Sequence, residues 1–328
     1  MYLEADKEKP MNLELKNIHK SFDNKEVLKG INLSVQSGRA LGLLGRNGAG
    51  KTTTIRIIMG IFHANEGEIL LDGKKFVPEK NKIGYLPEER GMYPKKTVLE
   101  QMTYFARLRG LDKKRAVESS KKWLEKLQVS EYEKRKMDTL SKGNQQKVQL
   151  AATLVCDPDL VVLDEPFSGL DPVNSQILKD VIRELISIGK IVIFSSHQMS
   201  YVEEFCEDIV IINQGEVLLD GHLEEIKEEY GKERKILSAE NITLDQLEQC
   251  CLEKLSDVLE VEGCSRHHVI FRLKDGTTQW DVLNRLQEEK MDVDYYGSYK
   301  PSLNDIFVSC VGNVTEETPD AEERSQTK

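Results

Sequence analysis

The run Gly45-Arg46-Asn47-Gly48-Ala49-Gly50-Lys51-Thr52 brings together what a phosphate group needs from a polypeptide. Glycines let backbone N–H groups converge on oxygen anions, and the start of a helix adds a positive dipole end. The lysine supplies a mobile cation and the threonine a hydroxyl able to ligate a divalent metal. The spacing is G-x-x-x-x-G-K-[ST]. It falls between a buried-strand pattern at 40–44 and a helical pattern at 52–61, where Ile55, Ile58 and Met59 share helical spacing. Thr53, next on that helix, joins the candidate phosphate-binding set.

A second group of candidates is acidic. Asp164 and Glu165 follow the apolar run 160–163. A carboxylate at the end of a buried strand sits at the sheet edge, where a phosphate-bound metal would lie. Strand alternation sends the next side chain elsewhere, so Glu165 is expected to orient an attacking water. His197 stands beyond another buried-strand run, 191–194, again at a strand's carboxyl end.

These groups need a sheet to hold them. Half-buried strand patterns (Leu13, Leu15, Ile18; then Ile31, Leu33, Val35) precede the glycine loop. Between 98 and 155 the pattern is helical, with Trp123, Leu124 and Leu127 forming an apolar stripe. Buried-strand runs at 160–163, 191–194 and 209–212 alternate with helical stretches at 177–188 and 200–206, which predicts a mainly parallel α/β sheet. Asn213-Gln214-Gly215 reads as a turn into a terminal hairpin at 217–219. The charged segment 224–235 is expected to be a helix and linker. Beyond it, helical patterns at 244–258 and 280–289 interleave with strand patterns at 268–273 and 293–296, predicting a small α+β domain. The predicted organisation is therefore an N-terminal extension (1–10), a nucleotide-binding domain (11–230, helical subdomain about 90–155), a C-terminal α+β domain (231–312) and a disordered acidic tail (313–328).

Composition narrows the function classes. With 328 residues, 39% hydrophobic and 31% charged, the chain suffices for one large and one small core. No run approaches the ~18 apolar residues of a membrane span, and the N-terminus carries acids and lysines where a secretory signal would be apolar. The net charge of −10 works against sequence-independent nucleic-acid binding. Cys156, Cys206, Cys250, Cys251, Cys264 and Cys310 show no CxxC spacing, so they read as buried free thiols of a cytosolic chain. No guanine-reading NKxD stretch is present.

Together with Leu140-Ser141-Lys142-Gly143-Asn144-Gln145-Gln146 and His197, the glycine loop and the acidic pair resemble the nucleotide-binding subunits of ATP-binding-cassette (ABC) transporters, in the same order along the chain. The resemblance covers about 11–230. The LSKGNQQ stretch is similar to the LSGGQ signature, and the C-terminal unit resembles the accessory domain of a bacterial subgroup that includes sodium-export-type ATPases. The resemblance implies the P-loop NTPase fold, with an antiparallel β subdomain beside the helical one. It implies ATP held by the 45–53 loop and by Phe22 against adenine, and Mg²⁺ held by Thr52, Asp164 and Glu88. Glu165 polarises water, and His197 contacts the γ-phosphate. Ser141, Lys142, Gly143 and Asn144 serve a second subunit's nucleotide, and Asp171, in Ser168-Gly169-Leu170-Asp171, crosses the interface. Glu88 stands where most relatives have a glutamine, and Lys142 replaces a signature glycine.

The implied partners are an integral membrane permease and a second ATPase subunit, either another copy or a related chain, with no nucleic acid. The implied location is peripheral, on the inner membrane face. The implied function is an ATPase driving export; the alternative is a soluble, non-transport cassette ATPase.

Overall fold

The computed structural model describes residues 10–89, 91–265 and 267–316. The chain divides after Leu223 into two units.

The first unit opens with β1 (Asn12–Phe22) and β2 (Lys25–Gln36), an antiparallel pair. Their alternating Leu13, Leu15, Ile18, Ile31, Leu33 and Val35 face the core, as a sheet with one wet side requires. Next come β3 (Ala40–Leu44), whose residues are all buried, and α1 (Lys51–Ile58). β4 (Glu66–Leu71) and β5 (Lys74–Lys75) complete an antiparallel sheet of order β2-β1-β4-β5. β6 (Ile83–Leu86) leads into the helical insert: α2 (Val98–Leu108), α3 (Lys113–Lys126) and α4 (Lys142–Leu154). A Thr97–Glu100 capping box starts α2, and Asp112 caps α3.

β7 (Leu160–Asp164), α5 (Pro172–Ser187), β8 (Ile191–Ser195), α6 (Met199–Phe205), β9 (Asp208–Asn213) and β10 (Glu216–His222) follow. The main sheet has the order β10-β9-β3-β8-β7-β6 and is parallel except for β10. β3, β7 and β8 are buried throughout, the signature of central parallel strands covered on both faces. Register pairs both Leu43 and Asp164 with Ser195, so the segments leaving β3, β7 and β8 emerge side by side at one edge.

The second unit contains α7 (Leu223–Gly231), β11 (Arg234–Ala239), α8 (Leu244–Lys254), β12 (Leu259–Ser265), β13 (His268–Leu273), α9 (Gln279–Glu288), β14 (Val293–Ser298) and α10 (Leu303–Glu316). Its antiparallel sheet runs β12-β13-β11-β14, which with α8 and α9 makes a split βαβ arrangement. Its own core gathers Leu237, Leu247, Cys251, Val269, Phe271 and Leu286.

Several expectations change. The boundary expected after Tyr230 lies seven residues earlier, because α7 is tied into the second unit: the Tyr230 hydroxyl meets Cys310 Sγ at 3.1 Å, and Gly231 abuts the Tyr299 carbonyl. The helix expected to reach 258 stops at Lys254, since β12 begins at Leu259. α10 runs to Glu316, into the stretch expected to be disordered from 313; residues 317–328 and 1–9 lie outside the described residues. All six cysteines are free, but only Cys206, Cys250 and Cys251 are buried; Cys156 and Cys310 are half-buried, and Cys264 is exposed because it sits on the edge strand β12. Among the described residues, no helix is long and apolar enough to cross a membrane.

Candidate nucleotide site

The loop between β3 and α1 adopts a shape that side chains would prevent. At Gly45 (φ +154°) a Cβ would stand 2.3 Å from the Ile212 carbonyl oxygen, and at Gly50 (φ +117°) 2.6 Å from Leu28 Cδ2. With those contacts closed by hydrogen atoms alone, the chain turns tightly and α1 begins at Lys51 with no side-chain cap on its first N–H groups. Lys51 is only 9% exposed. Its ammonium donates to the Gly45 carbonyl at 2.6 Å and to the Arg46 carbonyl at 3.2 Å. Burial holds this lysine below its ordinary pKa, against the carboxylates Glu165, Asp164 and Glu88, which raise it.

Asn47, Gly48, Ala49, Gly50, Lys51, Thr52, Thr53, Glu88, Asp164, Glu165 and His197 line one cleft of about 860 Å³. The residues come from four separate stretches of chain, brought together by the adjacent ends of β3, β6, β7 and β8. Lys25, Glu26, Val27 and Lys29 of β2 and Gln214 line it as well. Sequence reading missed these five because no motif joins the start of β2 to a turn almost two hundred residues away.

Ser195 and Ser196 were also missed. The Ser195 hydroxyl donates to Asp164, and the Ser196 hydroxyl to Glu165 Oε2 at 3.2 Å. The His197 backbone N–H donates to Glu165 Oε1 at 2.8 Å, and the His197 Nδ1 lies 2.8 Å from the same oxygen. The end of β8 thus holds both carboxylates. Two hydroxyls directly before His197 were the available signal. Strand alternation is not what separates Asp164 from Glu165: β7 ends at Asp164, and Glu165 takes a left-handed backbone (φ 49°) that redirects it. Tyr85, on β6, has its phenol pushed up to about 12 by burial and by Asp164.

Other predicted residues lie elsewhere. Gly45 and Arg46 are not among the cleft-lining residues. Neither is Phe22, 38% exposed, whose ring meets Phe62 edge-on at 5.1 Å with the Lys20 ammonium 5.0 Å from its centroid. Ser141 caps α4, its hydroxyl accepting from the Asn144 N–H at 3.3 Å; Lys142, Gly143 and Asn144 form the first turn. Asp171 caps α5, accepting from the Asn174 N–H at 2.9 Å and from its side-chain amide at 2.6 Å. These hydrogen bonds hold the Asp171 carboxyl below the usual range. The two caps are neighbours, because a Cβ on Gly143 would sit 2.8 Å from the Asn174 amide nitrogen. Neither cap lines the cleft.

Residues 28–168 match the ABC transporter family model, and 221–311 match that of the DrrA1-3-like ATP-binding protein C-terminal domain. YhaQ of Bacillus subtilis, an ABC transporter ATP-binding protein, is 38% identical over 305 residues, covering 93% of this chain and all of that one. This chain is an ABC transporter ATP-binding subunit. The ABC subunit accordingly binds and hydrolyses ATP, as its family does. The linearmycin resistance ATP-binding protein LnrL of Bacillus subtilis is 31% identical over 265 residues, covering 80% of this chain and 84% of LnrL. A solved ATP-binding subunit of an ABC transporter superposes on the ABC subunit with a TM-score of 0.62 at 28% identity, covering 74% of this chain and 99% of that one.

Proposed function

We propose that two such subunits, either two copies of this chain or this chain and a related one, clasp two MgATP between them and drive a separate membrane permease, in the export direction. The observation that carries the reading is the separation of the cleft from the Ser141 helix terminus. The terminus is an anion site by its own physics, it stands beside the Asp171 cap, and neither lines the cleft. A second chain that presents its own terminus over the cleft completes it.

Within one cleft, Lys51 and the loop amides bind phosphate, with Phe22 available to adenine. The donor set fits Mg²⁺, which is commonly held by one or two protein side chains plus substrate phosphates. Thr52, Asp164 and Glu88 supply hard oxygens. Among the described residues, no cluster of three or more His, Cys, Asp or Glu would hold a metal unaided, which suits an ion arriving with nucleotide. Mg²⁺ would neutralise phosphate charge. Glu165, held by Ser196 and His197, accepts a proton from water, and His197, 60% exposed at its side chain, is free to meet the terminal phosphate.

The permease would supply the path through the bilayer; no described helix of this chain is long and apolar enough to cross one. A groove of about 450 Å³ at the start of the helical insert, lined by Tyr93, Lys96, Glu100, Gln101 and Tyr104, offers the permease half-exposed aromatic surface. The resemblance to LnrL, a resistance protein, supports the export direction, since removing a compound from the cell is one way to resist it. Such an assembly sits on the inner membrane face. The test is light scattering of the Glu165→Gln chain with MgATP, together with detergent extraction of the tagged wild-type chain. The expected results are twice the 37.4 kDa monomer mass and a co-purifying integral membrane protein. A monomer in both settings refutes the reading.

A further inference from the structure

One face of α4 is polar where a buried helix face is ordinarily apolar. Gln146, Gln149 and Thr153, spaced i, i+3, i+7, are 7%, 5% and 4% exposed. Each donates to a backbone carbonyl outside the helix. Gln146 Nε2 reaches the Pro166 oxygen at 3.1 Å and Gln149 Nε2 the Glu89 oxygen at 3.1 Å, while the Thr153 hydroxyl shares its one proton between the Tyr85 oxygen at 3.2 Å and the Gln149 oxygen of its own helix at 3.0 Å. The acceptors outside the helix belong to two segments of the cleft: Pro166 follows Glu165, and Tyr85 and Glu89 flank Glu88. β6 is the edge strand of the main sheet, so its outward carbonyls have no strand partner and α4 supplies one. An apolar helix face would tolerate sliding. A donor on a buried side chain aimed at one carbonyl does not, because a shift leaves the buried amide unsatisfied.

We propose that Gln149 is a positioning residue for Glu88. By gripping the carbonyl of the next residue, it fixes where the Glu88 carboxylate stands in the cleft opposite Lys51. It also fastens that loop to the helix whose first turn is the Ser141 terminus, eight residues or ~12 Å away along the axis. Gln146 makes the matching grip on the Glu165 segment. The carboxylates that face nucleotide and the terminus offered to a partner subunit are then parts of one hydrogen-bonded body. This rests on the cleft being the ATP site and adds a residue that no glycine-loop, signature or acidic-strand motif contains.

The test uses Gln149→Leu and Gln149→Met in the full chain, both of which keep bulk and remove the donor. Three readouts separate positioning from folding: affinity for a fluorescent ATP analogue without Mg²⁺, the Mg²⁺ dependence of nucleotide binding and of kcat, and hydrogen exchange of the peptide carrying Glu88. Metal-free affinity should stay within about twofold, because the 45–53 loop is untouched. The half-saturating Mg²⁺ concentration should rise, kcat fall and exchange accelerate, each by about tenfold for one lost hydrogen bond from a buried donor. Parent-like Mg²⁺ dependence and exchange in both variants would overturn the assignment. So would loss of metal-free binding in both, since Gln149 would then hold the fold and not Glu88. A parent chain that binds no ATP would instead sink the site reading itself.

Discussion

Replacing Glu165 with glutamine separates chemistry from binding, and the structure sets the size of each effect. The carboxylate accepts from the His197 N–H at 2.8 Å and the Ser196 hydroxyl at 3.2 Å, while Ser196 Oγ also accepts from the Gln198 N–H at 3.0 Å. Glutamine retains an oxygen for His197, and its amide can donate to a Ser196 oxygen that has two lone pairs. The exchange therefore costs about one net hydrogen bond, ~0.5–1.5 kcal/mol, and the fold survives. What disappears is the proposed proton acceptor. Removing a positioned general base lowers turnover by roughly 10²–10⁴, or about 2.7–5.5 kcal/mol of barrier. Phosphate release at saturating MgATP, beside a fluorescence titration of nucleotide, reads both quantities. Turnover within tenfold of the parent would remove Glu165 from the role, and joint collapse of affinity and turnover would make it a structural residue.

Lys51→Ala removes the cation that bridges the Gly45 and Arg46 carbonyls. ATP affinity should fall roughly 10- to 150-fold, the worth of a charge-assisted bond of about 1.5–3 kcal/mol, and an unchanged titration contradicts the loop assignment. Phe271→Ala, at a fully buried position with Tyr296 5.9 Å away, should cost about 3–5 kcal/mol in the second unit without altering ATP affinity, as calorimetry with nucleotide titration would read. The phenol of Tyr85, raised to about 12 by burial and by Asp164, favours the neutral form in the folded state. Its contribution is complete below the unfolded value of about 10 and is lost as pH rises through about 12. Tyr85→Phe should flatten the fall in melting temperature across that window, and a parent-like slope would refute the assignment.

The parts of the site that were legible in sequence are those whose chemistry is local. The 45–52 loop works through three closely spaced glycines and a helix start, and the 160–165 run through a buried strand that ends in acid. What was not legible depends on contacts between distant segments. Ser195 and Ser196 acquire meaning only when β8 lies beside β7, and Gln149 only when α4 covers the edge of β6. β6 escaped notice because four residues containing a glycine, Ile83–Leu86, carry little periodicity. β11 escaped notice because it starts inside the charged run read as helix and linker, where Arg234 pairs with Glu262, a neighbour that only the sheet supplies. Fold class was readable because hydrophobic alternation is repeated over many strands, whereas the division of the chain after Leu223 depends on which unit's side chains α7 meets.

The placement of the Ser141 and Asp171 caps away from the cleft also bears on how rate scales with concentration. A catalyst complete in one molecule has a specific activity independent of dilution. Under the proposed pairing each turnover needs surfaces from two molecules, so below the dissociation constant of the pair the velocity rises with the square of chain concentration. Tethering both copies to one permease would remove that dependence, making the membrane complex a device for keeping local concentration high as much as a conduit.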